Sequence, residues 1–350
     1  MLKKRRIVLR ALGGFAWFLV VCGIMLIAAA FLNEPPAGQA VNSGGVSVEG
    51  GEVVMEIGDG ESADSVGARL EAAGLIKTRF LWRALCRADG RYLKAGVYGF
   101  KEGLPLTAIR GVFIAGRQLL VKVTIPEGST IKKTAAIFEA EGVCRAEDFV
   151  AAARDEGLLH EYRVPGKTME GFLYPDTYRV NKRYPAVRLV RMMADNFYEK
   201  LGALGTAEAG LTPEELFRKV ILASIVEREY RLEREAPLIA GVFENRLQRG
   251  MRLESCATVE YVITEIEGRP HPRRIYNRDL EVQSPYNTYL QSGLPPGPIA
   301  SAGRAALAAV FSPDKNEYLF FRIADPAQGR HYFSKTFDDH IRAGQLVTKF

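Results

Sequence analysis

The N-terminal 32 residues place the strongest constraint on how this chain folds. Residues 11–32 are apolar and carry no charge, and a helix of that length spans about 33 Å, close to the roughly 30 Å hydrocarbon core of a bilayer. Five basic residues precede this run: Lys3, Lys4, Arg5, Arg6 and Arg10. We therefore expect a membrane-spanning helix at 11–32, with residues 1–10 as a basic cytoplasmic tail and the remaining chain outside the cytoplasm.

A cleaved signal peptide is the alternative interpretation of the same segment. The apolar run is longer than the apolar region of a typical signal peptide, and the small residues that could form a cleavage site, Ala28 to Ala30, lie at its far end. These two features favour an uncleaved anchor.

Charge and ligand-type residues exclude two classes of function. The formal net charge is +6, but five of these charges lie in residues 1–10, so residues 33–350 carry only about +1. This near-neutral balance argues against an electrostatic nucleic-acid binder. The four cysteines and four histidines are scattered without metal-ligand spacing, so we predict no structural metal site.

Local patterns predict a mixed α/β (α+β) fold in two parts. Residues 33–51 are rich in Gly, Pro and Ser and are predicted to form a linker. Residues 52–120 have the pattern of a small βααβ module, and residues 121–350 are predicted to form a larger mixed α/β domain. The module is built from a strand at 53–57, helices within 62–74 and 80–86, and a return strand at 92–100.

The segment 211–230 is predicted to be a helix of about four turns. Thr212 can cap it, Pro213 suits its first position, and Glu215 completes a capping box. An apolar run leads along this helix directly to Glu227.

Glu227 is the candidate for acid–base chemistry. At about 100° per residue it shares a stripe with Leu216, Val220 and Ala223, whereas Glu229 projects toward nearly the opposite side. A carboxyl group at the end of an apolar face should be partly desolvated, which raises its pKa and suits it to proton donation near neutral pH. A simpler interpretation stays open, in which Glu227 pairs with a neighbouring arginine where the stripe meets solvent.

A loop at 284–299 combines aromatic, amide and hydroxyl side chains with several Pro and Gly residues. Tyrosine rings stack on sugar faces, and amides bind ring hydroxyl and N-acetyl groups. The loop is thus a candidate glycan-binding surface, with Tyr286 and Asn287 lining the groove. A rigid structural corner is the alternative.

The motifs of the chain, taken in order, resemble those of the MltG (YceG-like) family of membrane-anchored endolytic murein transglycosylases. The resemblance covers the anchor and nearly everything from residue 52 onward. It is carried by Ile-Pro-Glu-Gly at 125–128, Glu-Gly-Phe-Leu-Tyr-Pro-Asp-Thr-Tyr at 170–178, Leu-Ala-Ser-Ile-Val-Glu-Arg-Glu at 222–229, Val-Phe-Glu-Asn-Arg-Leu at 242–247, Thr-Val at 258–259, Tyr-Asn-Thr-Tyr at 286–289 and Gly-Leu-Pro-Pro-Gly at 293–297.

The resemblance implies a LysM-like module at 52–120 and a catalytic domain at 121–350 on the periplasmic side of the cytoplasmic membrane. It implies that Glu227 is the catalytic acid and that glycan strands are cleaved between N-acetylmuramic acid and N-acetylglucosamine, leaving 1,6-anhydro ends and limiting the length of nascent strands. No cofactor is required. The expected partners are peptidoglycan glycan strands, the membrane and peptidoglycan synthases. The predicted substrate-binding residues are Asn245, Glu254, Thr258, Tyr286, Asn287, Thr288 and Tyr289.

One departure from the family pattern leaves two rival functions open. Where the family commonly has Leu-Gln-Ser/Thr-Asp-Pro-Thr-Val, this chain has Leu-Glu-Ser-Cys-Ala-Thr-Val at 253–259. The loss of Asp and Pro would be compatible with a non-catalytic peptidoglycan-binding scaffold. A hydrolase that uses Glu254 or Glu229 as a second carboxylate is the other alternative.

Overall fold

The computed structural model describes two compact units, Met1–Leu120 and Val121–Phe350. The described residues are 2–88, 90–205 and 210–347, and the side chains of 2–16 and 345–347 are outside the description. Most of the predicted basic tail is therefore described only as backbone.

The first unit is a three-stranded antiparallel sheet, in the order β1-β2-β3, with helices packed against it. Its elements are α1 (Leu2–Asn33), β1 (Val46–Glu49), β2 (Glu52–Ile57), α2 (Ala63–Ala72), α3 (Arg79–Ala88), β3 (Gly96–Lys101) and α4 (Leu106–Ala115). Phe113 forms the centre of its core, in edge-to-face contact with Trp82 and Tyr98. Burial of these three rings supplies a large share of the apolar area that holds a unit of this size together.

The prediction of an unstructured linker over 33–51 is wrong for its C-terminal part. Residues 46–49 form β1 and pair with β2, with Val46 opposite Met55. The predicted βααβ order is thereby extended by one strand, because a two-residue turn at Gly50 and Gly51, both with positive φ, brings the chain back on itself.

The helix α1 covers the whole of the predicted membrane span. Within the described part of the chain, no helix has both the length and the apolar character needed to cross a bilayer.

The second unit is mainly helical, with two small two-stranded sheets, β4-β5 and β6-β7. Its elements are β4 (Leu120–Thr124), α5 (Ile131–Ala140), α6 (Ala146–Ala152), α7 (Glu156–Glu161), β5 (Thr177–Asn181), α8 (Ala186–Gly202), α9 (Pro213–Glu229), α10 (Ala236–Gln248), α11 (Cys256–Tyr261), α12 (Arg304–Phe311), β6 (Phe320–Asp325), β7 (Arg330–Ser334) and α13 (Phe337–Val347). Both units therefore confirm the predicted α+β class.

Helix α9 is the centre of the second unit. The capping box is confirmed, since the Thr212 hydroxyl accepts from Glu215 N at 3.2 Å and the Glu215 carboxylate accepts from Thr212 N at 2.8 Å. Every residue from Val220 to Val226 is buried, because α10, α11 and α12 all pack against the helix. The predicted single apolar stripe is thus only part of the buried surface, and α9 is a core helix in its second half.

Candidate active site

Glu227 lies in the last turn of α9, where three separate chain segments meet. The turn 126–130 and the loop 299–303 are joined by backbone hydrogen bonds, from Gly128 N to Ser301 O at 2.9 Å and from Ser301 N to Ser129 O at 2.8 Å. The loop is also tied to α9, because the hydroxyl of buried Ser224 accepts from Ile299 N at 3.0 Å. The position of Glu227 is therefore fixed by backbone groups far apart in sequence.

The Glu227 carboxylate has two hydrogen-bond donors. Gly303 N donates to Oε2 at 2.9 Å, and the hydroxyl of Tyr230 lies 3.2 Å from the same oxygen. Arg228 instead pairs with Glu260 at 2.6 Å and also donates to Gly128 O. The simpler interpretation, in which Glu227 pairs with Arg228 or Arg231, is therefore not what the described residues show.

Burial raises the pKa of Glu227 to about 7. The Gly303 hydrogen bond opposes this shift, the negative charge of Glu127 adds to it, and Tyr230 and Arg228 oppose it. A carboxyl group in this range is half protonated near neutral pH, so it can both donate and accept a proton. The pKa shift expected from the sequence is present.

The Glu227 side chain lines a polar cavity of about 510 Å³. A volume of this size is typical of a small-molecule or oligosaccharide site. The lining residues are Glu127, Gly128, Thr130, Lys133, Glu227, Arg228, Tyr230, Arg231, Glu260, Thr264, Glu265, Arg269 and His271. Several of them come from the end of α11 and from a π-helical turn at Val262–Ile266, an irregularity that is frequent at functional sites.

Glu127 is a second carboxylate in this cavity, and no role was predicted for its side chain. Its Oε1 lies so close to Gly303 that an added Cβ would collide with it, while the nitrogen of the same glycine binds Glu227. From standard bond lengths, the nearest carboxylate oxygens of Glu127 and Glu227 are within about 7 Å of each other. The only sequence signal was its place in the Ile-Pro-Glu-Gly turn.

Glu229 does not share the cavity with Glu227. Its carboxylate accepts a hydrogen bond from the Ser255 hydroxyl, and burial raises its pKa. The described lining residues include neither Glu229 nor Glu254. Glu229 and Glu254, the two candidates for a second catalytic carboxylate, therefore do not line the cavity of Glu227.

The predicted direct glycan contacts of Thr258, Asn287 and Thr288 are corrected by the structure, because all three side chains are buried. The Asn287 amide donates to Leu280 O and Val282 O, both at 2.8 Å, and its oxygen accepts from Tyr289 N at 3.0 Å. These side chains hold the 280–289 loop in shape, so the structural-corner interpretation applies to them.

Thr258 and Thr288 form a buried clasp between α11 and that loop. Their hydroxyls share a hydrogen bond of 2.9 Å, and Thr288 Oγ1 accepts from Ser255 N at 3.0 Å. The Ser255 hydroxyl in turn donates to Glu229 at the C-terminal end of α9, so the clasp is linked to that end of the helix through Ser255.

The other predicted substrate-binding residues do not line the Glu227 cavity; they are Asn245, Glu254, Tyr286 and Tyr289. Asn245 donates to Asn316 O and Tyr318 O, both at 2.9 Å, and so holds the connection before β6. Glu254 forms an ion pair of 2.9 Å with Arg246. Tyr286 packs against Tyr261 with ring centroids 5.1 Å apart, and Tyr289 contacts Cys256. The two tyrosines are partly exposed and stay candidates for glycan contact.

Glu170 supports the opposite side of the site. It is buried, and both oxygens accept from Ile131 N, at 3.1 and 3.2 Å, where α5 begins after the 126–130 turn. Burial raises its pKa to about 8, so the carboxyl group is mostly neutral at pH 7. It therefore positions the turn that carries Glu127.

The chain is similar to known proteins over most of its length. The sequence model of the YceG-like family matches residues 55–345. An endolytic murein transglycosylase of Bacillus subtilis (strain 168) is 28% identical over 309 residues, covering 83% of each chain. One from Streptococcus pneumoniae (strain D39) is 27% identical over 319 residues, covering 83% of this chain and 57% of its own longer chain. The crystal structure of a YceG-like protein from Listeria monocytogenes is 28% identical, with a TM-score of 0.55, and covers 85% of this chain and 99% of that one.

The buried amide of Asn287 gives a first prediction. Asn287→Ala should lower the unfolding free energy of the second unit by about 2–4 kcal/mol, because three buried backbone groups lose their partner. Urea titration measures this change. Gln291→Ala, at an exposed amide in the same region, should stay within about 0.5 kcal/mol of the parent. An Asn287→Ala protein of unchanged stability would restore direct glycan contact as the explanation for this residue.

Proposed function

The chain belongs to the YceG-like family, and from this premise we propose that it is an endolytic murein transglycosylase that cleaves glycan strands of peptidoglycan internally. The observation that carries the proposal is Glu227, a half-buried carboxyl group with a pKa of about 7 at the edge of a polar cavity. The relatives with this activity match the chain over most of its length.

In the first step Glu227 donates its proton to the glycosidic oxygen between N-acetylmuramic acid and N-acetylglucosamine. The C1–O bond breaks, and the 2-acetamido group of the substrate assists at C1 as positive charge develops there. Glu227 is left as a carboxylate, which Gly303 N and the Tyr230 hydroxyl stabilise as hydrogen-bond donors.

In the second step the Glu227 carboxylate takes the proton of the 6-hydroxyl of the same sugar, whose oxygen attacks C1. A 1,6-anhydro ring closes and Glu227 regains its proton, so one carboxyl group completes the cycle. The substrate supplies the groups for which ordinary glycosidases use a second carboxylate. The negative charge of Glu127 would stabilise the cationic sugar between the two steps.

Glu227 and Glu229 are distinguished by substitution with Gln. Glu227→Gln should lose on the order of 10² to 10⁴ in rate for each proton transfer that the residue serves. Glu229→Gln is the matched control and should keep most activity, since its carboxylate binds Ser255 outside the cavity. The assay is mass spectrometry of anhydro products from purified glycan strands, with thermal melts of both variants. Near-parental product formation by Glu227→Gln would remove it from the mechanism.

A second candidate function, hydrolysis as a two-carboxylate muramidase, is favoured by the position of Glu127. The upper limit of about 7 Å on its separation from Glu227 is compatible with the roughly 5–9.5 Å found in two-carboxylate glycosidases. The reaction products separate the two functions, because hydrolysis leaves a free reducing end and transglycosylation leaves a 1,6-anhydro end.

The pH dependence of kcat/KM tests the role of Glu127. Since the first step needs protonated Glu227, kcat/KM should fall as the pH rises above about 7, approaching tenfold per pH unit. Glu127→Gln removes a negative charge that disfavours ionisation of Glu227, so it should lower the pKa of Glu227 and move this fall to lower pH.

The control for this profile is Glu141→Gln, which removes an exposed charge that does not line the Glu227 cavity. An unmoved profile in Glu127→Gln contradicts the electrostatic role. A loss of 10² or more in rate together with free reducing ends would instead assign Glu127 as the second catalytic carboxylate of a hydrolase.

We further propose that α1 anchors the chain in the cytoplasmic membrane, with residues 33–350 in the periplasm, where glycan strands and their synthases are found. The support is the uncharged run at 11–32 and the exposure of large apolar side chains on α1, including Trp17, Ile24 and Phe31.

Residues 52–120 are proposed as a LysM-like glycan-binding module, and failure of insoluble murein to retain this unit would contradict that assignment.

Cys256 reports the orientation of the anchor, because this residue is exposed while the other three cysteines are only partly accessible. A membrane-impermeant maleimide should label the full chain in cells stripped of their outer layers, and Cys256→Ser should lose this label. Labelling that appears only after the membrane is lysed would place the second unit in the cytoplasm.

A further inference from the structure

A second cavity, of about 430 Å³, lies in the second unit between α8, α12 and the loop before β5. Its walls combine apolar and charged groups, which include Tyr174, Asp176, Lys200, Leu204, Arg304 and Leu307. None of these residues takes part in the mechanism derived above.

The charged groups of this cavity have an excess of one positive charge. Lys200 lies 3.9 Å from Asp176, which also accepts from Thr177 N at 2.7 Å and from the Asn196 amide at 3.1 Å. Arg304 is exposed and, among the described residues, forms no ion pair. The cavity thus presents a cation that forms no ion pair beside apolar walls, which favours an anionic ligand with small aliphatic groups.

Arg304 is adjacent to the catalytic centre. It follows Gly303, whose backbone nitrogen binds Glu227, so the two Cα atoms are about 3.8 Å apart. Tyr174 connects the two cavities electrostatically: burial raises its pKa, Glu127 and Glu227 add to the shift, and Arg304 opposes it. The residue that binds the Glu227 carboxylate and a residue that lines this cavity are thus consecutive in the chain.

We propose that the cavity binds the stem peptide of the muramyl sugar whose C1 reacts, with Arg304 paired to a peptide carboxylate. This inference rests on the proposed function. In murein the peptide is attached through the lactyl group of that same sugar, so it starts about one ring width from Glu227. Its alanine side chains match Leu204 and Leu307, and Asp176 can accept a peptide N–H.

The test compares two substrates on the full chain: uncrosslinked strands that carry stem peptides, and the same strands stripped of peptides by an amidase. In Arg304→Gln the ratio of kcat/KM for peptide-bearing over stripped strands should fall about tenfold, the loss of one charge-assisted hydrogen bond. Arg304→Lys should recover most of the ratio. Lys182→Gln, at an exposed cation that lines neither cavity, should keep the parental ratio.

An Arg304→Gln protein that loses the same factor on both substrates, or on neither, overturns the proposal. A parental protein that cleaves neither substrate refutes the proposed function instead. In that event the peptide-binding proposal is tested by calorimetric titration of a soluble muramyl tripeptide with free carboxylates. Arg304→Gln should weaken binding of this tripeptide about tenfold, and equal affinities of the two proteins would overturn the proposal.

Discussion

The desolvation of one carboxyl group, Glu227, is the constraint on which the catalytic unit depends. Helix α9 is buried from Val220 to Val226, so the helix delivers this side chain to the edge of the core rather than to bulk water. An isolated ionised carboxylate in such a place is costly. The backbone nitrogen of Gly303 offsets part of that cost, and the balance leaves the pKa at about 7. Burial thus raises the pKa of Glu227, and the Gly303 hydrogen bond is the largest of the interactions that oppose it.

That hydrogen bond depends on contacts between segments far apart in the chain. The loop 299–303 is held by Ser129 and by the Ser224 hydroxyl, and the turn 126–130 is held by Arg228 and, through α5, by Glu170. Each of these polar groups satisfies a backbone partner that would otherwise be buried without one. Polar groups from three of the motif segments therefore align the chain around one acid.

The helix of Glu227, its capping box and the raised pKa of the residue could be predicted from sequence, because they follow from local propensity and helical periodicity. The pairing of β1 with β2 was missed since a Gly-rich stretch gives no periodic signal. The approach of Glu127 to Glu227 could not be predicted, because it depends on the packing of residues 100 positions apart. The roles of Asn287 and Thr288 were misassigned, because side chains that hydrogen-bond the backbone are of the same residue types as those that bind sugars.

The departure at Cys256 and Ala257 from the common Asp-Pro pair bears on whether this chain is a catalyst or an inactive scaffold. The residues on either side of the pair keep their contacts: Ser255 N reaches Thr288 Oγ1, the Ser255 hydroxyl binds Glu229, and Thr258 completes the clasp. Cys256 itself points outward to the Tyr289 hydroxyl and does not line the cavity of Glu227. An inactive scaffold would be free to lose the desolvation and the Gly303 donor that tune Glu227, yet both are present. The substitution therefore changes the rim near Tyr289, where it would alter how a bound strand is held, and leaves the acid–base machinery intact.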